Sequence, residues 1–417
     1  MIWKRVKAAA AWLHLWVGLV TGIVVVIVSV TGCILVFEEE LFNTFHRDLV
    51  RVKQTGPARP VSELLVIAKN KLGLKKPVTD IRINEADRSY IFSASKTNKK
   101  ENIQWWNYFS QFRYRDDLYM NQYTGEVLGV IDVRYEFFNV VEQLHRQLLL
   151  IKPVGSVVIG SCILLFLLMM ITGFILWLPK NLKQLKKSLA VKWGARWKRV
   201  NYDLHNSLGF YVLPIAMLIA ITGLVWSFRW WEAGIYRIFG SPGKIELIRK
   251  APATIDSDAI NGNNTLDHVL ARIQKEINYN YVTIGLNLPE KEEPTLMAFV
   301  YHKNRSDGWR NMSYFYFDMR TGKQFDQLMH STKPLGLKWR NSNKDIHTGK
   351  IYGFGTQLLA FAASLVCASL PITGFLIWWG KRKKKSKKSS LKRSSSLNQN
   401  LVFEDEPPVL FHHQHER

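Results

Sequence analysis

Four stretches of this chain, near 12–37, 153–178, 205–228 and 351–379, are apolar almost throughout. The hydrocarbon of a bilayer is ~30 Å thick and a helix rises ~1.5 Å per residue, so about 20 apolar residues span it. Each stretch meets that length. Inside lipid each must be helical, because lipid offers no partner for a free N–H or C=O. The fold class expected is an α-helical membrane protein with four spans. The first run is too long for a signal peptide, and no small-residue cleavage site precedes Glu38, Glu39 and Glu40, so it is expected to persist as a span.

The net charge of +24 points first to nucleic acid, but its distribution gives a simpler account. Lys4, Arg5 and Lys7 precede the first span, the loop at 180–204 is basic, and the run from Lys381 to Arg393 follows the fourth. With four spans, all three lie on one face, which the positive-inside rule makes cytoplasmic. The expected layout is therefore 1–37, cytoplasmic N-terminus and first span; 38–152, an outer module; 153–179, the second span. A cytoplasmic loop at 180–204, the third span at 205–228, a second outer module at 229–350 and the fourth span at 351–379 follow. Residues 380–417 read as a disordered basic tail lying on anionic lipid. A nucleic-acid partner is not expected. Cys33, Cys162 and Cys367 all fall inside apolar runs, so no disulfide framework holds the outer modules, and no CxxC or CxxCH occurs.

Four histidines stand in register with the spans: His14, His145, His205 and His347. Each span ends in a Thr-Gly pair, at Thr31, Thr172, Thr222 and Thr373, and the His-to-Thr spacings run 17, 27, 17 and 26. The alternation indicates a duplicated two-helix unit, with halves related by a pseudo-twofold axis along the membrane normal. That axis relates His14 to His205 near the inner face and His145 to His347 near the outer face. Facing imidazoles on membrane helices are the ligand set of a bis-histidine haem, whose saturated iron favours electron transfer over oxygen binding. Zinc or copper would want carboxylate or thiolate ligands nearby, and none accompanies these residues. Gly18 and Gly209, one turn after His14 and His205, either let a porphyrin approach the backbone or permit helix packing. The Thr-Gly ends read as structural, the hydroxyl bonding a preceding carbonyl and the glycine allowing close helix approach.

The outer modules repeat as well. Ser62-Glu63 and Thr265 with Asp267 read as helix starts. Strand-like DIRINEA and SYIFSAS follow the first, VTIGLNL and TLMAFVYH the second. Both modules then close on a hairpin, with Asn121, Thr124 and Gly125 in one and Asp318, Thr321 and Gly322 in the other. Helix, strands and a D/N-x-x-T-G turn, twice, flanked by four helices with Thr-Gly ends, resemble the PepSY-associated transmembrane family over roughly residues 8–380. That family includes iron-regulated inner-membrane proteins and ferrisiderophore reductases of Gram-negative bacteria. The resemblance implies two periplasmic α+β modules of PepSY type and a b-type haem protein that passes electrons across the inner membrane to ferric siderophores; the two histidine pairs lead us to expect two haems per chain. No dinucleotide fingerprint is present, so the donor is expected to be a cytoplasmic flavin reductase or quinol.

The remaining candidates are weaker. Trp105, Trp106, Arg113 and Arg115 in the first module, with Trp339 and Arg340 in the second, offer stacking and cationic groups for an anionic ferric chelate. The competing account is that they build module cores and the interfacial belt. His46 and His330 are alternates for the outer pair. His268 and His302 are expected to be exposed, and His412, His413 and His415 belong to the tail. Two other functions stay open: transport of the chelate itself, and regulation of a periplasmic protease by the outer modules. Haem content separates both from the reductase.

Overall fold

The computed structural model describes residues 2–179, 181–241, 245–252, 265–289, 293–305 and 307–402. The first span is α1 (Ile2–Val36), followed by two short helices, α2 (Glu38–Phe45) and α3 (Arg47–Val50). The next segment contributes α4 (Val61–Leu72), β1 (Asp80–Asn84), β2 (Tyr90–Thr97), β3 (Phe112–Met120), β4 (Val127–Asp132) and α5 (Phe137–Gln147). The second span α6 (Lys152–Trp177), the short α7 (Leu182–Leu189) and the third span α8 (Trp197–Ser227) come next. Then follow α9 (Arg229–Ile238), α10 (Thr265–Glu276), β5 (Thr283–Asn287), β6 (Thr295–Tyr301), β7 (Met312–Asp318), β8 (Lys323–Leu328) and α11 (Leu335–Thr348). The fourth span opens α12 (Phe354–Val402).

Four helices, α1, α6, α8 and the Phe354–Arg382 part of α12, are long and apolar enough to cross a membrane. Their shared core is Val25, Phe166, Met170, Val212, Ala216, Ala220, Ala363 and Cys367. α8 begins at Trp197, well before the expected 205. α12 runs on helically through Val402, where the sequence led us to expect a disordered tail. Lys, Arg and Leu are good helix formers, and neither Gly nor Pro interrupts residues 381–402. His412, His413 and His415 lie outside the described residues.

The strands form one antiparallel sheet in the order β4-β3-β2-β1-β5-β6-β7-β8. The order reads outward from a central β1–β5 pair, in which Asp80 stands opposite Asn287 and Asn84 opposite Thr283. The two segments expected as separate modules thus share one sheet and one core, in which Ile81, Phe92, Ile284 and Phe315 are fully enclosed under α4 and α10. Strand alternation supplies this core: Ile81 and Ile83 alternate with Asp80 and Arg82 along β1. Both expected hairpin turns form. Asn121 Oδ1 accepts from the Tyr123 and Thr124 amides, and Asp318 Oδ1 accepts from the Arg320 amide. Gly125 and Gly322 take the left-handed φ values of 78° and 69° that the turns require.

The helix starts differ from expectation. α4 begins at Val61 after Pro60, so Ser62 sits inside the first turn instead of capping it. Its amide and hydroxyl both bond to the Asp267 carboxylate of α10. A proline at the N-cap fixes the entry angle of the chain, and the orphan N–H of Ser62 is satisfied from the other helix.

Candidate functional site

α1 packs against α6 and α12, and α8 packs against the same two, so α1 and α8 stand diagonally across the bundle. His14 on α1 and His205 on α8 face each other along that diagonal, with ring centroids 6.3 Å apart and planes crossing at 84°. A second pair lies at the other end of the bundle, ~25 Å along α1 at ~1.5 Å per residue. There His145 at the end of α5 and His347 at the end of α11 face each other at 6.2 Å and 74°. The chain reaches this position by a sharp turn after α5, where Leu148 and Leu149 both take left-handed φ values, 54° and 58°. Such a pair costs on the order of 1–3 kcal/mol per residue and persists only where packing fixes it. Pro153 sits harmlessly in the first turn of α6 beyond it.

One threonine seats each ring. Nδ1 of His14, His145, His205 and His347 lies 3.3, 3.0, 2.9 and 3.0 Å from the hydroxyls of Thr172, Thr31, Thr373 and Thr222. The hydroxyl protons are already committed to backbone carbonyls one turn back: Thr31 to Ile27, Thr172 to Met169, Thr222 to Leu218 and Thr373 to Leu370. Only lone pairs are left for the rings, so each Nδ1 donates. The carbonyls of Met169 and Ile219, each 3.0 Å from Nδ1 of His14 and His347, also accept only. All four imidazoles are thereby held with the proton on Nδ1 and a free lone pair on Nε2, the form that ligates a metal. Burial pushes the outer rings down, His145 to about 4 and His347 to about 3, so both stay neutral across the physiological range.

The glycine after each threonine provides the room. A Cβ at Gly32, Gly173, Gly223 or Gly374 would stand 3.3, 3.0, 3.2 or 3.2 Å from Cε1 of His145, His14, His347 or His205. The Thr-Gly ends do bond back to their own helices, as the sequence suggests, and they are also the seats of the rings. Gly18 and Gly209 face neighbouring helices: a Cβ there would meet Met169 Sδ at 3.0 Å and Leu370 Cδ2 at 3.8 Å.

One cavity adjoins the His145–His347 pair, and a second adjoins the first. A largely apolar one of about 420 Å³ is lined by His145, His347, Gly32, Gly223 and Trp226, whose ring stands 5.2 Å edge-on from His347. A polar one of about 620 Å³ lies against the face of β1–β3, where Arg82, Arg88 and Arg115 are interleaved with Asp80, Asp117 and Glu136. Glu38, Glu142 and Lys344 line both. Of the residues proposed for chelate binding, Arg115 lines the polar cavity and Arg340 the apolar one. Trp105, Trp106 and Arg113 are exposed and line neither. Trp339 is buried, stacked on Phe239 at 5.7 Å, and belongs to a core. Arg82 on β1 and Arg88 in the turn before β2 escaped the sequence reading, because neither position carries a signal of the cavity it lines.

The other histidines are elsewhere. His46 packs on Phe42 at 4.4 Å, and His330 is buried in the sheet region with Nε2 2.9 Å from Asp307. Neither joins the outer pair. His268 is exposed as expected. His302 is half-buried and bonded to the Asn280 carbonyl and the Ser313 hydroxyl, against expectation, because its strand lies inside the sheet. No group of three or more His, Cys, Asp or Glu converges among the described residues. Each pair thus brings two imidazole rings together with no third His, Cys, Asp or Glu converging on them among the described residues.

Against models of known families, residues 11–381 match the PepSY-associated TM region. No curated protein matches the chain.

Proposed function

The chain belongs to the PepSY-associated transmembrane family, and on that premise we propose that it is an inner-membrane di-haem b protein that reduces ferric chelates, chiefly ferric siderophores, in the periplasm. The observation that carries this reading is the twin imidazole pairs. A metal–nitrogen bond of ~2 Å and ~1 Å from nitrogen to ring centre put the centroids of two opposed ligands about 6 Å apart. The measured separations of 6.3 and 6.2 Å fit that spacing, and the fixed tautomers direct the free lone pairs to the ligating nitrogens. His14 with His205 and His145 with His347 would hold the two groups. When bound, a haem at each pair supplies a one-electron carrier at each face of the membrane.

The chain's own residues do the rest. The threonines orient the rings, and the core around Val25, Phe166 and Met170 keeps water from the space between the pairs. Arg115, which lines the polar cavity, is offered to an anionic acceptor, whereas Arg82 there pairs with Asp117, Arg88 reaches Glu39, and Glu136 and Glu142 line the same space. One electron converts the acceptor's Fe(III) to Fe(II), which hard oxygen chelators hold less tightly. The donor is a cytoplasmic flavin reductase or quinol on the inner side. Support for the orientation comes from the basic flanks of the spans, which share one face of a four-span chain, the face that the positive-inside rule expects in the cytoplasm. Two copies of a helix–module–helix unit, meeting at β1 and β5, account for the register of the histidines.

The test is a visible spectrum of detergent-purified protein, oxidised and then dithionite-reduced, with haem quantified per chain. A low-spin b-type spectrum with about two haems, falling to about one in His205→Ala or His347→Ala, is expected. Haem-free protein from haem-supplied cells would overturn the reading and put chelate transport or protease regulation in its place.

A further inference from the structure

Two of the four rings carry a second tie that their partners lack. Asn201 and His205 are four residues apart on α8, as Asn343 and His347 are on α11, so each pair projects from one face of its helix. Asn201 Nδ2 donates to the carbonyl of Thr373 at 3.1 Å, and Asn343 Nδ2 donates to the carbonyl of Thr222 at 3.1 Å. These are the same threonines whose hydroxyls seat His205 and His347. Ring and amide therefore grip one residue at two points, fixing both the rotation and the height of one helix against the other. One turn before His14 and His145 stand Ala10 and Val141, both buried, and neither has a group to make this bond.

Packing alone does not explain the asparagines. Asn201 is 4% exposed and Asn343 0%, and the Oδ1 of each has no hydrogen-bond partner among the described residues. A buried acceptor left unmade is costly, so space-filling alone would favour an apolar side chain at either position. The cost is accepted twice, at the same place relative to a ring, on opposite ends of the bundle.

We infer that Asn201 and Asn343 are positioning residues that make each site unequal, with one stiff ligand (His205, His347) opposite one compliant ligand (His14, His145). The inference rests on the haem reading above. Its consequence is that the near-perpendicular ring planes, 84° and 74°, are set from the stiff side. The angle between two axial imidazole planes governs the anisotropy of a low-spin ferric haem, so the effect is visible without any turnover.

The experiment compares haem-loaded wild type with Asn201→Leu and Asn343→Leu, by electron paramagnetic resonance of the ferric protein and by the rate of haem loss to an apo-globin acceptor. Signals are assigned to sites with His205→Ala and His347→Ala. Asn343→Leu is expected to change the anisotropy of the outer site and speed its haem loss about 10-fold, the low end for groups behind a metal ligand. Asn201→Leu does the same at the inner site. In each variant the untouched site reports that the bundle has folded. Wild-type signals at both sites in both variants would overturn the inference, as would equal changes at both sites in either one. A wild type without haem would instead sink the reading on which it rests.

Discussion

The hydroxyl of Thr222 stands 3.0 Å from Nδ1 of His347 while donating its own proton to the carbonyl of Leu218, 2.8 Å away. A hydroxyl so committed is a pure acceptor for the ring, and this small arrangement decides which imidazole nitrogen carries the proton. Thr222→Val keeps the shape and removes the acceptor, leaving His347 only the Ile219 carbonyl. Groups that orient a metal ligand are worth about 10- to 100-fold in affinity, so haem loss from the outer site is expected to quicken by about 10-fold or more. Thr222→Ser is expected to behave as wild type. Equal haem retention by the valine and serine proteins would mean that the hydroxyl does not set the ring.

The glycines after the threonines allow a graded test. At Gly173 a methyl group would stand 3.0 Å from Cε1 of His14, whereas at Gly32 it would stand 3.3 Å from Cε1 of His145. Overpacking in a well-filled site costs about 1–3 kcal/mol, more where less can move. Gly173→Ala is therefore expected to lower the low-spin fraction of the inner site more than Gly32→Ala lowers that of the outer. Visible spectra of the two ferric proteins read this directly, and the reverse order would contradict the geometry.

Asp267 joins α10 to the first turn of α4 through the amide and hydroxyl of Ser62. Its replacement by alanine removes an N-terminal acceptor, a loss of about 1 kcal/mol. Asp267→Ala is expected to lower the unfolding midpoint of the sheet region, followed by limited proteolysis, with the spectrum of the membrane sites unchanged. A changed spectrum would show that the sheet and the bundle are coupled through this contact.

Lys333 gives a pH dependence. Its ammonium is buried, donating to the Met312 carbonyl at 2.6 Å and lying 4.2 Å from the centre of the Tyr314 ring. Burial, with the charge of Lys338 nearby, pushes its pKa from 10.5 down to about 7. The folded protein then binds fewer protons than the unfolded chain between those two values. Stability rises with pH through that window, and the full cost of the buried charge is felt below it, on the order of a few kcal/mol. Lys333→Met removes this contribution. The variant is expected to unfold at a higher temperature than wild type at neutral pH, with the gap narrowing as the pH rises. A gap independent of pH would refute the buried ammonium.

How much of this was legible in the chain divides along physical lines. The spans, the hairpins at Gly125 and Gly322, and the facing of His14 with His205 and His145 with His347 follow from periods and repeats that local chemistry imposes. The role of the threonines was only half visible, because a Thr-Gly pair at a helix end looks alike whether or not a ring lies against it. Asn201 and Asn343 were missed, although N-x-x-x-H occurs at both positions and one helical turn is the spacing that lets two side chains meet one partner. The β1–β5 pairing had no signal in either strand, since Asp80–Asn84 alternates as any half-buried strand does and names no neighbour. Trp339 and Trp105 show the same limit from the other side: composition alone does not separate a core tryptophan from an exposed one.

Every tie between a ring and its seat stays within one half of the chain. His14 and His145 bond only to residues of α1 and α6, while His205 and His347 bond only to residues of α8 and α12. Each ring is thus seated from within its own half, and the two halves meet where the rings face each other. Anything that binds only the joined form stabilises it by mass action. On the haem reading proposed above, joining of the halves and filling of the sites therefore favour one another.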